Sequence, residues 1–441
     1  MLRLYVSLMV FCSLYLSGVC GISFASAEDV CLGCHEKKTP GIVNHWKESA
    51  HFKKQVGCAD CHGSDIEAGH KREAVVDAAK CGTCHKKTFD EHSLSRHSKG
   101  LRTGQGCTRN MAATDEQKKS CSFCHAPGST KPFDETECAM FLAQSKDMQA
   151  HGCSSCHRVE DRCDTCHTKH GTDLSLARMP GTCGTCHMGP DHAQYEMWDA
   201  SSHGVIFRAR GEKDGPSCVT CHMNRGSHNV SRGIATGLPE ALPEMKKQER
   251  DYMVSICSGC HTSGFSARNL AGADNIEQQS RKIVEEARVL VEELYREDLL
   301  FPPPSERPSH PLFGKKFVIG PHMLYENLSL SESLFFRMKQ FYYMNTVKGA
   351  FHQNPDYTHW YGNAPLKLAL SELKSEAASL RRARNLKDRL DNLLLAPESP
   401  RDDTGDVRKA LRELRERMLR GAISGKEYDD LKKKALDEKG L

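Results

Sequence analysis

Apolar residues first cluster at the start of the chain. Residues 1–27 carry Arg3, the run LYVSLMVFCSLYLSGVCGISF and then ASA at 25–27 before Glu28, the order of a secretory leader with an A-x-A cleavage site. Cys12 and Cys20 would leave with it, and Val19 is a poor residue to precede a lipid-modified Cys20. From 28 to 265 the pattern breaks up. Gly, Pro, Asp and Ser interrupt the apolar runs, which predicts short helices and loops. Helical periodicity returns over 275–300, where Ile276, Ile283, Ala287, Leu290 and Leu294 recur with Glu and Arg between them. FPPPSERPSHP at 301–311 breaks that helix, because proline lacks the N–H and clashes with the preceding turn. A second, apolar-aromatic helix is predicted over 328–350, and a third, rich in Leu, Ala, Arg and Lys, over 366–395. No stretch after the leader approaches the ~20 apolar residues of a membrane span. An extracytoplasmic, periplasmic chain is expected, soluble or peripherally attached to a membrane.

Composition changes this picture sharply. The chain has 22 Cys and 23 His in 441 residues, so Cys-x-x-Cys-His should arise by chance about 0.06 times. It occurs nine times: CLGCH (Cys31, Cys34, His35), CADCH (Cys58, Cys61, His62), CGTCH (Cys81, Cys84, His85), CSFCH (Cys121, Cys124, His125), CSSCH (Cys153, Cys156, His157), CDTCH (Cys163, Cys166, His167), CGTCH (Cys183, Cys186, His187), CVTCH (Cys218, Cys221, His222) and CSGCH (Cys257, Cys260, His261). Disulfides or zinc ribbons also use paired Cys-x-x-Cys units, but they give no reason for a His after every second Cys. Covalent c-type haem does: two thiols clamp the porphyrin and the adjacent imidazole becomes an axial ligand of the iron. The expected fold class is mainly α, a multihaem cytochrome c with short helices and loops around stacked haems, followed by a long-helix C-terminal region. Porphyrins would then supply much of the apolar core. The formal net charge of +4 says little about partners, since each haem brings propionates and an iron; no nucleic-acid partner is expected.

An iron with two imidazoles needs a second histidine. Fourteen lie outside the motifs: His45, His51, His70, His92, His97, His151, His170, His192, His203, His228, His310, His322, His352 and His359. Several follow a motif at short range, as in CHGSDIEAGH, CHTKH and CHMNRGSH. An iron left without a second protein ligand is where a small molecule can bind and react. The stretch CGTCHMGPDHAQYEMWDASSHG at 183–204 places Asp191 beside His192, an acid–base pair able to relay protons to a bound substrate.

From CLGCH at 31 to about residue 370 the chain resembles the hydroxylamine oxidoreductase family of octahaem cytochromes c. The resemblance rests on GCSSCHRVEDRCDTCHTKH (152–170), CGTCHMGPDHAQYE, SSHG, CHMNRGSHN and the HQNP stretch with its downstream Gly362 and Pro365. It implies that Cys153, Cys156 and proximal His157 hold the active haem, with Asp191 and His192 lining its distal pocket. It also implies His51, His70, His97, His170, His203, His228 and His352 as distal ligands of the seven other haems. Eight haems are expected from the family, and a ninth if CSFCH 121–125 is loaded. His92 or His151 would then be its second ligand; the alternatives there are a four-Cys metal site or a Cys107–Cys138 disulfide, which an oxidising compartment favours.

The family's oxidative members carry a Tyr that crosslinks to the catalytic haem of a neighbouring subunit. An ungapped alignment on Gly362 and Pro365 puts His359 at that position, with Tyr357 and Tyr361 two residues to either side. The resemblance therefore points to the reductive members, which take nitrite or hydroxylamine to ammonia. Asp191, His192 and His359 are the expected catalytic residues, in a homotrimer fed by a periplasmic or membrane-bound redox donor. Hydroxylamine or hydrazine oxidation with a Tyr357 or Tyr361 crosslink is the alternative, and a non-catalytic electron conduit the second. The expected organisation is a leader (1–27), a multihaem domain (28–265), a helical region completing haem ligation and trimer contacts (266–398) and a C-terminal helical hairpin (399–441). The hairpin's LRGAISGKEYDDL resembles short C-terminal oligomerisation modules, though an ordinary charged hairpin reads the same way.

Overall fold

The computed structural model describes residues 27–64, 76–99, 145–157, 159, 162–236, 242–307, 329–395 and 405–438. Residues 1–26 of the expected leader (1–27), together with His70, His310, His322 and the CSFCH motif with Cys107 and Cys138, lie outside the described residues. The described residues contain helices and turns but no strand, the mainly α fold expected. None of these helices is long and apolar enough to cross a membrane.

They form two compact units. One runs up to Met188 and resumes over Gln194–Leu270; the other comprises Gly189–Ala193 and Ala271 onward. Helices in the first unit are short: Cys58–His62 and Cys218–His222, for instance, are each a single haem motif wound into a helix of five residues. One turn suffices, because residues at i, i+3 and i+4 share a helix face, and this sets both thiols and the imidazole on one side. Polar side chains start these turns. Asp60 accepts from the Gly57 N–H at 2.8 Å, and Thr220 Oγ1 from the Ser217 N–H at 3.0 Å.

The second unit is built from long helices. Within Ser263–Arg296, Ala287, Val291 and Leu294 are fully buried; they meet Leu334, Phe335 and Met338 and the stripe Leu366, Ala369, Leu370, Leu373, Ala377 of the helix Ala364–Leu395. That stripe repeats at three- and four-residue steps, the face of an amphipathic helix turned to a core. The predicted break appears as the short 3₁₀ turn Pro304–Glu306. The second predicted helix is not continuous: Leu330–Arg337 and Tyr343–Phe351 are joined by a π-helical turn, Met338–Tyr342. The C-terminal hairpin is Gly405–Leu419 with Gly425–Asp437, whose Val407, Leu411, Ala435 and Leu436 close a small core on Leu390 and Leu394.

One ion pair in this unit is largely out of solvent. Arg307 Nη1 donates to Glu332 Oε1 at 2.5 Å, and Glu332, 3% exposed at its side chain, also accepts from the Ser329 N–H and hydroxyl at 3.0 and 2.6 Å. It thus holds a helix cap and a half-buried cation together. Glu332→Ala should cost about 3–5 kcal/mol, because it breaks a largely buried ion pair and uncaps the helix at Ser329 at once. The Arg307→Met/Glu332→Met double variant should recover most of that loss in chemical denaturation.

Candidate functional site

A metal–imidazole bond of about 2 Å on each side of an iron, plus roughly 1 Å from nitrogen to ring centre, sets two axial imidazoles about 6 Å apart. Five histidine pairs in the first unit have that spacing. Ring centroids stand 6.0 Å apart for His85 and His51, 6.2 Å for His62 and His170, and 5.9 Å for His187 and His97. They stand 6.2 Å apart for His167 and His228 and 6.1 Å for His261 and His203. Each pair joins a motif histidine to one outside the motifs, with a gap that admits one iron and the plane of its porphyrin. The residues therefore fit the cofactor. None of the described cysteines is in a disulfide, and no group of three or more His, Cys, Asp or Glu among the described residues is placed to hold a bare metal ion.

The surrounding groups suit ligation as well. Burial holds His62, His97, His167, His170 and His203 below the usual imidazole range, with neighbouring imidazoles adding to it. This favours the neutral ring that a metal requires. Several rings are turned by a bond to Nδ1: His35 to Thr39 Oγ1 at 2.7 Å, His228 to the Gly226 carbonyl at 3.1 Å and His352 to the Lys348 carbonyl at 2.7 Å. Occupying Nδ1 leaves Nε2 for iron. His170 is held at φ +64°, a left-handed conformation unusual for a non-glycine and persisting only where its surroundings demand it.

The motif thiols trace a path. Burial first, then the Cys81 thiol, pushes Cys163 up to about 12; burial, then Cys183, pushes Cys166 up to about 11. Cys218 is raised chiefly by its hydrogen bond with Cys183, and Cys221 to about 11 by burial and then Cys257. Cys61 is raised by burial and then Cys81. Motifs 58–62, 81–85, 163–167, 183–187, 218–222 and 257–261 are thus neighbours in that order, one short step apart. Cys156 joins the path through Sγ, 3.8 Å from the Thr185 carbonyl. The side chains of Cys153 and His157 lie outside the described residues.

In the second unit, Gly189 turns the chain at φ +102°, and Asp191 Oδ1 accepts a short hydrogen bond from His192 Nδ1. Gln340 Nε2 donates to the other carboxylate oxygen at 3.3 Å, and Lys348 Nζ to the Asp191 backbone carbonyl at 2.7 Å. Burial alone would raise the Asp191 carboxyl. The His192 bond and charge, with smaller help from Gln340 and Lys348, outweigh it and hold the group below the ordinary carboxylate range. Sequence reasoning missed Gln340 and Lys348, whose residue types carry no motif. His359 lies elsewhere in this unit, exposed in a second π-helical turn, His359–Asn363, its ring 4.8 Å from that of Trp360. Tyr357 and Tyr361 stack at 4.8 Å. Beneath them a Cβ on Gly362 would come within 2.7 Å of Thr346 Cα, so only glycine permits this crossing. The pairs described take none of His45, His92 or His151.

Comparison with known proteins follows the same lines. The family model described as "seven times multi-haem cytochrome CxxCH" matches residues 54–308. A curated relative, a probable nitrite reductase–hydroxylamine oxidoreductase fusion protein of Kuenenia stuttgartiensis, is 26% identical over 81% of this chain. The chain spans about half the length of that relative (52%). Among solved structures, a reducing HAO-like protein complex of Kuenenia stuttgartiensis superposes with TM-score 0.65 at 24% identity, over 82% of this chain and 87% of the other. A hypothetical multihaem protein gives TM-score 0.60 at 19% identity, over 84% and 98%. At these identities the superpositions establish the fold.

Two outcomes are expected. His97→Ala should turn one low-spin haem high-spin in EPR and optical spectra without changing the covalent haem count. Because Asp191 titrates lower folded than unfolded, its stabilising contribution is present above its unfolded value, about pH 4. That contribution disappears as pH falls through the folded value. Denaturation of wild type beside Asp191→Asn should therefore show a difference at neutral pH that vanishes in acid.

Proposed function

Since the chain belongs to the multihaem CxxCH cytochromes, with covalent c-type haems as its cofactors, we propose that it is a periplasmic reductase of nitrite or hydroxylamine, forming ammonia, in the manner of the reductive hydroxylamine oxidoreductase relatives. The observation that carries an enzyme rather than a wire is the hydrogen-bonded Asp191–His192 pair. Electron transfer between fixed irons needs no acid–base couple; cleavage of N–O bonds does.

The haem on Cys153 and Cys156, with His157 below it, is the open one in this proposal. Such a haem supplies an iron that binds nitrogen ligands and exchanges electrons with its neighbours. The five imidazole pairs, together with His70 and His352 as ligands of two further haems, serve electron supply. That makes eight haems, and CSFCH 121–125 the site of a ninth. Each N–O bond broken consumes an electron pair and protons, and the protons are the task of the polypeptide. Asp191 accepts the Nδ1–H of His192, so Nε2 is the ring nitrogen that gives and takes a proton. A carboxylate that stays ionised stabilises the imidazolium between deliveries, and Asp191 is held below its ordinary value. His359, exposed on its turn, is the group offered to the site of a neighbouring copy in a homotrimer.

The oxidative reading has its own support, because Tyr361 is 55% exposed and able to reach a partner chain. Dye-linked assays separate the readings. Reduced dye should be oxidised by nitrite or hydroxylamine, with ammonia formed, much faster than hydroxylamine reduces oxidised dye. Asp191→Asn should depress turnover about 10²- to 10⁴-fold at unchanged haem count. Faster hydroxylamine oxidation with a Tyr-linked haem peptide by mass spectrometry would reverse the direction, and an all-low-spin EPR spectrum would leave only a conduit.

A further inference from the structure

The segment Gly189–Ala193 belongs to the second unit although the residues on both sides of it belong to the first. Its attachment there is made largely by one continuous stretch of helix. Gln340 lies in the π-helical turn Met338–Tyr342 and Lys348 in the helix Tyr343–Phe351 that follows. In an uninterrupted α-helix the residues that return to one face after two turns are about seven apart. These two are eight apart, and the extra residue of the π turn takes up the difference. Both side chains reach Asp191 as a result, Gln340 at the carboxylate and Lys348 at the peptide carbonyl.

Lys348 also faces the other way. Its own carbonyl accepts from His352 Nδ1 at 2.7 Å. One residue therefore holds the acid–base segment with its ammonium and turns a proposed haem ligand with its backbone. Asp191 is fixed at three points: Oδ1 by His192, Oδ2 by Gln340 and the peptide oxygen by Lys348. With Oδ2 taken, the carboxylate cannot rotate freely, and the plane of the His192 ring is set with it. A single π turn inside an α-helix is rare and frequently sits at a functional site. Here it brings Gln340 and Lys348 to the same residue.

We propose that Lys348, assisted by Gln340, is a positioning residue that fixes the Asp191–His192 pair to the helix that ends at His352. The inference rests on the acid–base role assigned to that pair above. It acts on geometry and holds for either direction of the reaction.

The test uses the haem-loaded protein and the variants Lys348→Met, Lys348→Arg, Gln340→Leu, Asp191→Ala and Asp191→Ala/Lys348→Met. Turnover with hydroxylamine is measured in both dye-linked directions, beside haem content and low-spin EPR signals. Lys348→Met should lower kcat about 10- to 100-fold, the scale of a small misplacement of a catalytic group. KM, haem count and the low-spin signals should stay as in wild type. Lys348→Arg should restore most of the rate, and Gln340→Leu should lose several-fold. In the Asp191→Ala background the peptide carbonyl that Lys348 holds is still present, so removing Lys348 should cost less than it does in wild type, the carboxylate it helps to place being already gone. A crystal structure of Lys348→Met should show residues 189–193 displaced. Wild-type kcat in Lys348→Met while Asp191→Ala is impaired would overturn the positioning role alone. So would equal losses in both backgrounds, loss of the low-spin signals, or an undisplaced segment. Full turnover in Asp191→Ala would instead remove the acid–base reading, and the positioning role with it.

Discussion

An iron that takes two imidazoles dictates how far apart they stand, and five histidine pairs of the first unit keep that separation. The gap must be wide enough for the metal and its ring yet closed from both sides by protein. Helical turns that begin at a cysteine provide one side. Remote residues face them at that spacing: His51 stands 6.0 Å from His85 of the motif at 81–85, and His203 6.1 Å from His261 of that at 257–261. Each such pair brings two distant parts of the chain to the spacing that one iron between two imidazoles requires.

The distribution of core residues follows from this. Among the described residues, large, fully buried side chains lie mostly in the second unit: Leu294, Phe335, Met338, Leu366 and Leu373 in its helices, and Leu300 in the bend after the first of them. The first unit has few, such as Val43, Met197 and Val219. A chain threaded around porphyrins has little room for conventional packing, because the macrocycles take the volume and supply the apolar surface. Its described motif cysteines are half-buried or exposed in the polypeptide alone. The second unit contains none of these motifs and relies on amphipathic helices of the ordinary kind.

That contrast explains what could be read from residues in order. Cys-x-x-Cys-His is a local pattern, and the chemistry that needs it is local too, so the motifs and the mainly α class were legible. The stripes at 275–300 and 366–395 were equally plain, because burial on one face leaves its period in the sequence. The first of them extends further toward the N-terminus than its periodicity, over Ser263–Arg296, since its opening turns carry small residues. The π turn at Met338–Tyr342 left no trace: one extra residue does not disturb a run as apolar as SLFFRMKQFYYM. Gln340 and Lys348 escaped for the same reason. Their importance comes from which peptide they touch, and no spacing rule connects them to residue 191.

The contact between Gly362 and Thr346 has a further implication. It anchors the backbone of the aromatic turn from beneath, leaving His359, Trp360 and Tyr361 on the outside. Replacing exposed side chains on an anchored backbone changes stability little. The turn thus behaves as an interchangeable cassette, in which a histidine can be swapped for a phenol without refolding what lies below.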